Sequence, residues 1–400
     1  MNAISHIKAC WTAYALALFC LFLFFWAPPV FAESDGVKLE KVPLPKAMTE
    51  PEVASRAWVL ADLESGQTLA GEASTRRLPM ASTTKIMVAM LAFEEADLDA
   101  EVTVSEEAAS YAIPEYSNIG LYTGDTLSVR ELLQASLISS GDDAVYALAE
   151  YLGGGSAERF VQRMNERAAE MDLEDTHFEN PSGLDEEKHY STAQDLAKMT
   201  RLAFEYPEFR EMVATPAATI TTQDREIPLA STNELLTGYA PATGVKTGTT
   251  PAAGSSLVAS ADSEGESYVA VLLDSQEDRF GAAVRALEYG FAAHERPRIV
   301  TQGDLYTKAD VPYRRGKEIG LVAKKDILGL VDADSKIQRE VEIMKELPDS
   351  AEPGTRLGTV IAKVDGKRIG ESALVAKRSY EKASLPQRAW YTVSGVFREN

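Results

Sequence analysis

Cysteine is almost absent from this chain, and histidine is scarce. The two cysteines among 400 residues are Cys10 and Cys20, and both lie in an apolar N-terminal segment. Once that segment is removed, disulfides and thiolate chemistry are excluded. The four histidines include no pair at the spacing of metal ligands. We therefore expect no metal and no cofactor, and we expect His177 and His189 to be loop or core residues.

Positive charge is also in short supply. The chain has 61 acidic and 40 basic side chains, which gives a formal net charge of −21 at pH 7. So acidic a surface repels phosphate backbones, and nucleic acid is therefore excluded as an expected partner. The charge keeps the protein soluble but identifies no substrate. The length is sufficient for two domains, each with its own core.

The N-terminal segment is typical of a targeting signal. Lys8 is its only charged residue, and the 17 residues Cys10–Trp26 form an apolar run. Small residues follow where a signal peptidase would cleave, so we predict a signal peptide over residues 1–32 and an exported protein. The alternative is an uncleaved membrane anchor, because 17 apolar residues nearly span a bilayer. Residues 33–53, polar and containing prolines, are predicted to be a linker.

The body of the chain divides into two parts by its secondary-structure patterns. Residues 54–294 combine an early hairpin, several apolar helices and a late antiparallel meander. Residues 295–376 carry β-type runs, two of them joined by the strong turn signal Asp365-Gly366. We therefore predict an α+β domain over residues 54–294 and a small all-β domain over residues 295–376.

The tail, residues 377–400, has five basic and two acidic side chains. Apolar residues such as Leu385 and Ala389 share one face of a helical wheel, with Trp390 close by. This pattern is typical of a helix that lies in a membrane interface, which makes a membrane surface a possible partner. Gly395 and the shortness of the stretch favour the alternatives, a disordered end or a last strand.

Ser82 and Lys85 form the first chemical motif, at the start of an apolar helical run. Residues at i and i+3 share a helix face, so the amine of Lys85 can reach the Ser82 oxygen. Lysine activates serine only where burial or a second cation keeps the amine neutral. The pair predicts a nucleophile and its base, although the same spacing also occurs on solvated helix faces.

Two later motifs supply what this pair lacks. Ser140-Gly141-Asp142 interrupts a helical run, where its side chains can face a cleft. The other motif, Lys246–Thr249, lies on a predicted strand, and its lysine is a second cation that could bind a carboxylate and keep Lys85 neutral by repulsion. The glycine of that strand would let a substrate backbone approach closely.

In their order and separation, the three motifs resemble those of penicillin-binding proteins and serine β-lactamases. Flanking segments such as His177–Leu184 and Leu257–Ala261 resemble the low-molecular-mass D-alanyl-D-alanine carboxypeptidases. The likeness covers about Ala54 to His294. It implies a β-lactamase/transpeptidase-like domain, an antiparallel sheet with helices on both sides and a helical lobe, followed by a small all-β domain.

The resemblance also implies a reaction. Ser82 would attack the carbonyl between two terminal D-alanines of a peptidoglycan stem peptide, Lys85 would take its proton, and Ser140 would relay a proton to the leaving amine. Backbone N–H groups of Ser82 and Thr249 would form the oxyanion hole. β-Lactams would acylate the same serine. The substrate-binding residues implied are Asp142, Lys246, Thr247, Gly248 and Thr249, with Lys246 and the two threonines on the terminal carboxylate.

Asp142 departs from the family pattern, which usually has asparagine at this position. A carboxylate accepts but does not donate hydrogen bonds, and near Lys85 it favours the charged amine. Three interpretations remain: a protonated Asp142, a substrate held differently, or reduced activity. Asp143 could also take over part of the role. Two other functions stay open, a β-lactamase, although no Glu-x-x-Leu-Asn sequence is present, and a non-catalytic sensor of stem peptides or penicillin.

Overall fold

The computed structural model describes residues 48–396, with side chains up to Tyr391. The predicted signal peptide and most of the predicted linker lie outside this range. The chain divides into two compact units, and the boundary in the sequence lies between His294 and Glu295. None of the helices between residues 48 and 396 is both long and apolar enough to cross a bilayer.

The N-terminal unit mixes strands and helices along its whole length. Its strands are β1 (Ser55–Asp62), β2 (Thr68–Glu72), β3 (Glu101–Thr103), β4 (Thr126–Ser128), β5 (Ala217–Thr221), β6 (Glu226–Ala230), β7 (Ala242–Thr250), β8 (Gly254–Ser263) and β9 (Glu266–Ser275). Its helices are α1 (Lys85–Glu95), α2 (Glu106–Ser110), α3 (Val129–Ile138), α4 (Asp142–Leu152), α5 (Ala157–Glu170), α6 (Ala193–Ala203), α7 (Pro207–Val213), α8 (Leu235–Gly238) and α9 (Arg279–Ala293).

A five-stranded antiparallel sheet with the order β2-β1-β9-β8-β7 forms the frame of this unit. Successive side chains of a strand point to opposite faces. Val59 accordingly joins the core of the helical lobe, whereas Leu60 lies against Gly290 of α9. Helix α6 packs on β1 and β9, and α9 packs on β8 and β9. The predicted α+β fold with a helical lobe is confirmed.

Helix α1 runs through the middle of the lobe. Residues Lys85–Ala92 are all buried, and α3, α4, α5 and α6 pack around them. A helix that is apolar on nearly every side is stable only when neighbours cover it. The sequence meets this need with amphipathic helices such as α3, which begins at a capping box formed by Ser128 and Glu131.

Two details of the helices differ from the sequence patterns. The sequence Ser191-Thr192-Ala193-Gln194 predicts a capping box that begins at Ser191. Instead Thr192 caps α6, because its hydroxyl accepts the Asp195 N–H whereas Ser191 pairs with Thr176. The apolar pattern after the Ser140-Gly141-Asp142 break predicts a helix from Ala144. Helix α4 begins two residues earlier, at Asp142, and its first-turn aspartates are themselves buried. The earlier start fixes the position of Asp142 on a rigid element.

The C-terminal unit is an all-β structure, as predicted, with a helix at its end. Its elements are β10 (Arg298–Val300), β11 (Leu305–Asp310), β12 (Glu318–Ala323), β13 (Ile327–Leu328), β14 (Ile337–Ile343), β15 (Arg356–Val364), β16 (Lys367–Ala376) and α10 (Leu385–Val396). Five strands form a sheet with the order β11-β12-β16-β15-β14. Asp365 and Gly366 both have positive φ, as the predicted hairpin turn requires. The alternative of a last strand is wrong, because residues 385–396 are helical.

Candidate active site

Ser82 lies on a 3-10 turn, Ala81–Thr84, that leads directly into α1. Ala81 has a φ of 49°, a left-handed conformation that costs energy in a residue with a Cβ. Two hydroxyls of the turn hold it closed: Thr83 donates to the Met80 carbonyl at 2.7 Å, and Thr84 donates to the Ala81 carbonyl at 2.8 Å. The backbone around Ser82 is therefore fixed before any substrate binds.

Two glycines let other segments pack directly against this turn. A Cβ on Gly248 of β7 would lie 2.9 Å from the Ala81 Cβ and 3.1 Å from the Ser82 nitrogen, and a Cβ on Gly183 would overlap the Ala81 carbonyl. We expected Gly248 to make room for a substrate. The structure adds a second reason for glycine, since it lets the backbone of β7 come beside the Ser82 N–H.

Lys85 brings the first two sequence motifs together. Its Nζ lies 2.8 Å from Ser82 Oγ, 2.6 Å from Asp142 Oδ1 and 3.5 Å from Ser140 Oγ. A fourth oxygen, the Ser182 carbonyl, is 3.2 Å away. The lysine side chain is completely buried, and that of Asp142 is 6% exposed. The amine and the hydroxyl are within the reach that proton transfer requires.

Ser140 and Asp142 owe their positions to the break between α3 and α4. Ser140 has a φ of 62°, again a left-handed conformation in a residue with a side chain. The backbone N–H of Asp142 donates to the Ser117 carbonyl at 2.6 Å, which ties the start of α4 to the loop before it. The carboxylate thereby points at Lys85.

Asp143 does not take part in this cluster. Its carboxylate accepts the N–H groups of Ile119 and Leu121 and the N–H of Ala144. Burial raises its pKa, and these backbone hydrogen bonds oppose the rise. The oxygens of Asp143 hold the loop at residues 119–121, which gives no support to a share of Asp143 in the role of Asp142.

Lys246 on β7 supplies the second cation. The side chain is buried, and its Nζ donates to the Thr247 carbonyl at 3.0 Å. Burial, together with repulsion from Lys85, holds the pKa of Lys246 well below its usual value, and the nearby Asp142 opposes this shift. No carboxylate among residues 48–391 forms an ion pair with it. An incoming anion would therefore meet a cation with no competing partner.

Two residues that sequence reasoning missed surround the end of β7. Thr232 Oγ1 lies 2.5 Å from Thr247 Oγ1. Arg279, from the first turn of α9, donates to the Gly248 carbonyl at 3.1 Å and to Thr249 Oγ1 at 3.0 Å. No motif or spacing in the sequence connects these residues with the strand. Arg279 holds the strand that carries the predicted substrate-binding residues.

His189 contacts Thr84 in the 3-10 turn that carries Ser82, Ala81–Thr84, which we call the nucleophile turn. Its Nδ1 accepts the Glu179 N–H at 3.0 Å, so Nε2 carries the proton and donates to Thr84 Oγ1 at 2.8 Å. Burial, with a further contribution from His177, lowers the pKa of His189 to about 4, against the opposing effect of Asp185. The prediction of a core histidine is confirmed for His189, which stays neutral at physiological pH.

Two family models match the chain. One, described as D-alanyl-D-alanine carboxypeptidase, covers residues 45–277, and the other, described as penicillin-binding protein 5, C-terminal domain, covers residues 295–382. The D-alanyl-D-alanine carboxypeptidase DacF of Bacillus subtilis is 31% identical over 58% of this chain, and the match spans 61% of DacF. DacC of Escherichia coli, with the same description, is 29% identical over 96% of both chains.

A solved structure extends the likeness to the fold. Penicillin-binding protein 5 from Haemophilus influenzae is 26% identical, and its match covers 84% of this chain and all of that chain with a TM-score of 0.66. The likeness spans both compact units. It therefore agrees with the two family models.

Proposed function

Since the chain belongs to the D-alanyl-D-alanine carboxypeptidase family, we propose that it is an exported serine carboxypeptidase that acts outside the cytoplasm. It removes the terminal D-alanine from peptidoglycan stem peptides and so remodels the cell wall. One observation carries this proposal: a serine hydroxyl lies 2.8 Å from a completely buried lysine amine. An amine in that position can take the proton of the serine as it attacks a carbonyl.

Acylation begins with Ser82 Oγ. Lys85 removes its proton, the oxygen attacks the carbonyl between the two D-alanines, and negative charge develops on the carbonyl oxygen. The N–H groups of Ser82 and Thr249 stabilise this charge, because Gly248 allows the two backbones to lie side by side. Ser140, whose Oγ lies 3.5 Å from Lys85 Nζ, passes the proton to the nitrogen of the departing D-alanine.

Lys246 and the hydroxyls of Thr247 and Thr249 hold the free carboxylate of the substrate. The carboxylate restores the charge balance of a buried cation, and this interaction selects the end of a peptide rather than its interior. Arg279 fixes Thr249 through its hydroxyl. Water then hydrolyses the acyl-enzyme, and a β-lactam, which also carries a carboxylate, acylates Ser82 in the same way.

Covalent labelling tests the nucleophile separately from turnover. Intact-mass spectra of the protein with benzylpenicillin should show one adduct, on the peptide that contains Ser82, and Ser82→Ala should abolish it. An adduct that persists in the variant refutes the assignment of Ser82. Labelling without D-alanine release would favour the sensor function, and rapid loss of the penicillin adduct would favour a β-lactamase.

The C-terminal helix α10 provides a second proposal, a contact with the membrane surface. Leu385 and Trp390 are 82% and 75% exposed, an unusual degree for large apolar side chains. Arg388 forms an ion pair with Asp349 and lies over the ring of Tyr313, which holds the helix on the C-terminal unit. The exposed side chains are therefore free to enter a lipid interface.

Sedimentation with anionic phospholipid vesicles tests this contact. The chain of residues 33–400 should sediment with the vesicles, whereas the same chain ending at residue 381 should stay in the supernatant. Leu385→Asn with Trp390→Gln should weaken binding without shortening the chain. Equal sedimentation of all three proteins would refute the membrane contact.

A further inference from the structure

Asp142 forms a buried ion pair with the base of the reaction. Its Oδ1 lies 2.6 Å from Lys85 Nζ, and neither side chain has appreciable contact with solvent. Two opposite charges removed from water each lose several kcal/mol of hydration, which their attraction only partly returns. A pair so short and so buried can lower this cost by transferring one proton, after which both groups are neutral.

The oxygens around Lys85 can also accommodate the neutral amine that the attack requires. An ammonium has three N–H groups and no free electron pair, so it cannot take the proton of Ser82. A neutral amine has two N–H groups and one electron pair. Asp142 and the Ser182 carbonyl occupy the two N–H groups, and the electron pair is left for the Ser82 hydroxyl at 2.8 Å.

We propose that Asp142 stores the proton that Lys85 must lose before it can act as a base. The Lys85 N–H bond to Asp142 breaks, an O–H bond forms on Asp142, and the nitrogen keeps the electron pair. Rotation about the Cε–Nζ bond then turns this pair from Asp142 to Ser82 Oγ, 2.8 Å away. Lys85 then takes the Ser82 proton and delivers it through Ser140 to the departing amine. Asp142 keeps its own proton, so Lys85 is neutral again for deacylation. This inference rests on the proposed carboxypeptidase function.

The other charged and titratable groups near Asp142 are compatible with this exchange. Burial raises the pKa values of Tyr111 and Tyr146, which stay neutral, and Asp143 is occupied by backbone N–H groups. A charged Lys246 repels an ammonium on Lys85 and attracts a carboxylate on Asp142, and the repulsion has the larger effect on the pKa of Lys246. A positive charge on Lys246 therefore favours the form in which Asp142 holds the proton.

The exchange has a measurable consequence for pH dependence. A base that loses its proton to solvent changes its active fraction about tenfold per pH unit below its pKa. A proton that moves between two side chains of the protein takes nothing from solvent. Acylation by the natural protein should therefore vary less than about threefold between about pH 6 and about pH 8.

The experiment measures the second-order rate of acylation by benzylpenicillin across this pH range, on the natural protein, Asp142→Asn and Asp143→Asn. Asparagine keeps the acceptor for Lys85 but cannot take its proton, so Asp142→Asn should show a rising limb of about tenfold per pH unit. Asp143→Asn removes the neighbouring carboxylate, which does not contact Lys85, and should show the flat profile of the natural protein.

The natural protein decides the inference even if a variant fails to fold. If the acylation rate of the natural protein rises about tenfold per pH unit, Asp142 does not store the proton. An identical pH profile in Asp142→Asn would overturn the proposal as well. Either result leaves the carboxypeptidase function intact if D-alanine is still released and Ser82→Ala is inactive. If no D-alanine is released and the acylation rate does not change with pH, the carboxypeptidase function is refuted. The proposal that Asp142 stores the proton would then still hold.

Discussion

The two units of this protein bury different kinds of side chain. The N-terminal unit buries charged groups, namely Asp62, Lys85, Asp142, Asp143 and Lys246. In the C-terminal unit, as far as residue 391, the buried polar side chains are hydroxyls, those of Thr307, Thr359 and Ser372, and no charged side chain is buried. Its core is otherwise apolar.

This difference separates a site from a scaffold. Burying a charge costs several kcal/mol unless partners compensate, so a fold that needs only stability avoids it. Three of the five buried charges of the N-terminal unit, Lys85, Asp142 and Lys246, lie around Ser82. The N-terminal unit therefore contains the chemistry, and the described part of the C-terminal unit has an apolar core without buried charge.

Lys85→Met should have the largest effect, because it removes a buried charge of the N-terminal unit that is also the base. The variant loses the base, so acylation by penicillin should fall by about 10³. It also leaves Asp142 buried without a partner, so the free energy of unfolding should fall by about 3–5 kcal/mol. Adding Asp142→Asn should restore stability in urea denaturation but not acylation. Recovery of both would contradict the assignment of Lys85.

Leu374→Ala tests the scaffold. Leu374 on β16 is fully buried in the apolar core of the C-terminal unit, and its loss should destabilise that unit by about 2–5 kcal/mol. Penicillin acylation should be unchanged, since no charged or catalytic group is affected. Leu328→Ala, at an exposed site, is the control and should change neither quantity. A parallel loss of acylation would show that the C-terminal unit contributes to the chemistry.

Gly248→Ala tests the close packing of β7 against the nucleophile turn. The new methyl would lie 2.9 Å from the Ala81 Cβ, so we expect a loss of about 1–3 kcal/mol in stability and a fall of about tenfold or more in acylation, because β7 must move away from Ser82. Gly238→Ala is the matched control, since its methyl would enter open space. Equal behaviour of the two variants would refute the close packing.

The smallest effect concerns His189 and acid. Its pKa is lowered to about 4 in the folded state and returns to about 6.5 on unfolding, so the unfolded chain binds the extra proton between these values. Stability should therefore fall as the pH drops, by about 2 kcal/mol between about pH 7 and about pH 5. His189→Gln should lack this pH dependence of the free energy of unfolding in urea titrations. His177→Gln should keep most of it, because burial is the main cause of the lowered pKa of His189. If the stability of all three proteins depends on pH in the same way, His189 makes no such contribution.

Local patterns predicted much of the fold. Helix α9 coincides with the apolar run at residues 279–293, and the meander of β7, β8 and β9 follows from alternating residues and glycine-containing turns. Helix α7 was not predicted; Pro207 occupies its first turn, where proline is favoured. Strand β11 was missed because its sequence is short and half polar.

Local sequence predicted the site residues that share one helical turn but not those that come from distant segments. Ser82 and Lys85 are linked by helix geometry, so their contact follows from spacing alone. Arg279 and Thr232 contribute through folding from distant segments, and nothing in their local sequence indicates it. The sequence placed Asp142 near Lys85 but left its state open. The structure adds a direct contact with the base, since Asp142 Oδ1 lies 2.6 Å from Lys85 Nζ.

The carboxypeptidase function is tested most directly by D-alanine release from diacyl-Lys-D-Ala-D-Ala. The purified chain of residues 33–400 is the enzyme, and Ser82→Ala is the blank. We predict steady release by the natural sequence and none by the variant. A folded protein that binds penicillin covalently at Ser82 but releases no D-alanine would contradict the carboxypeptidase function.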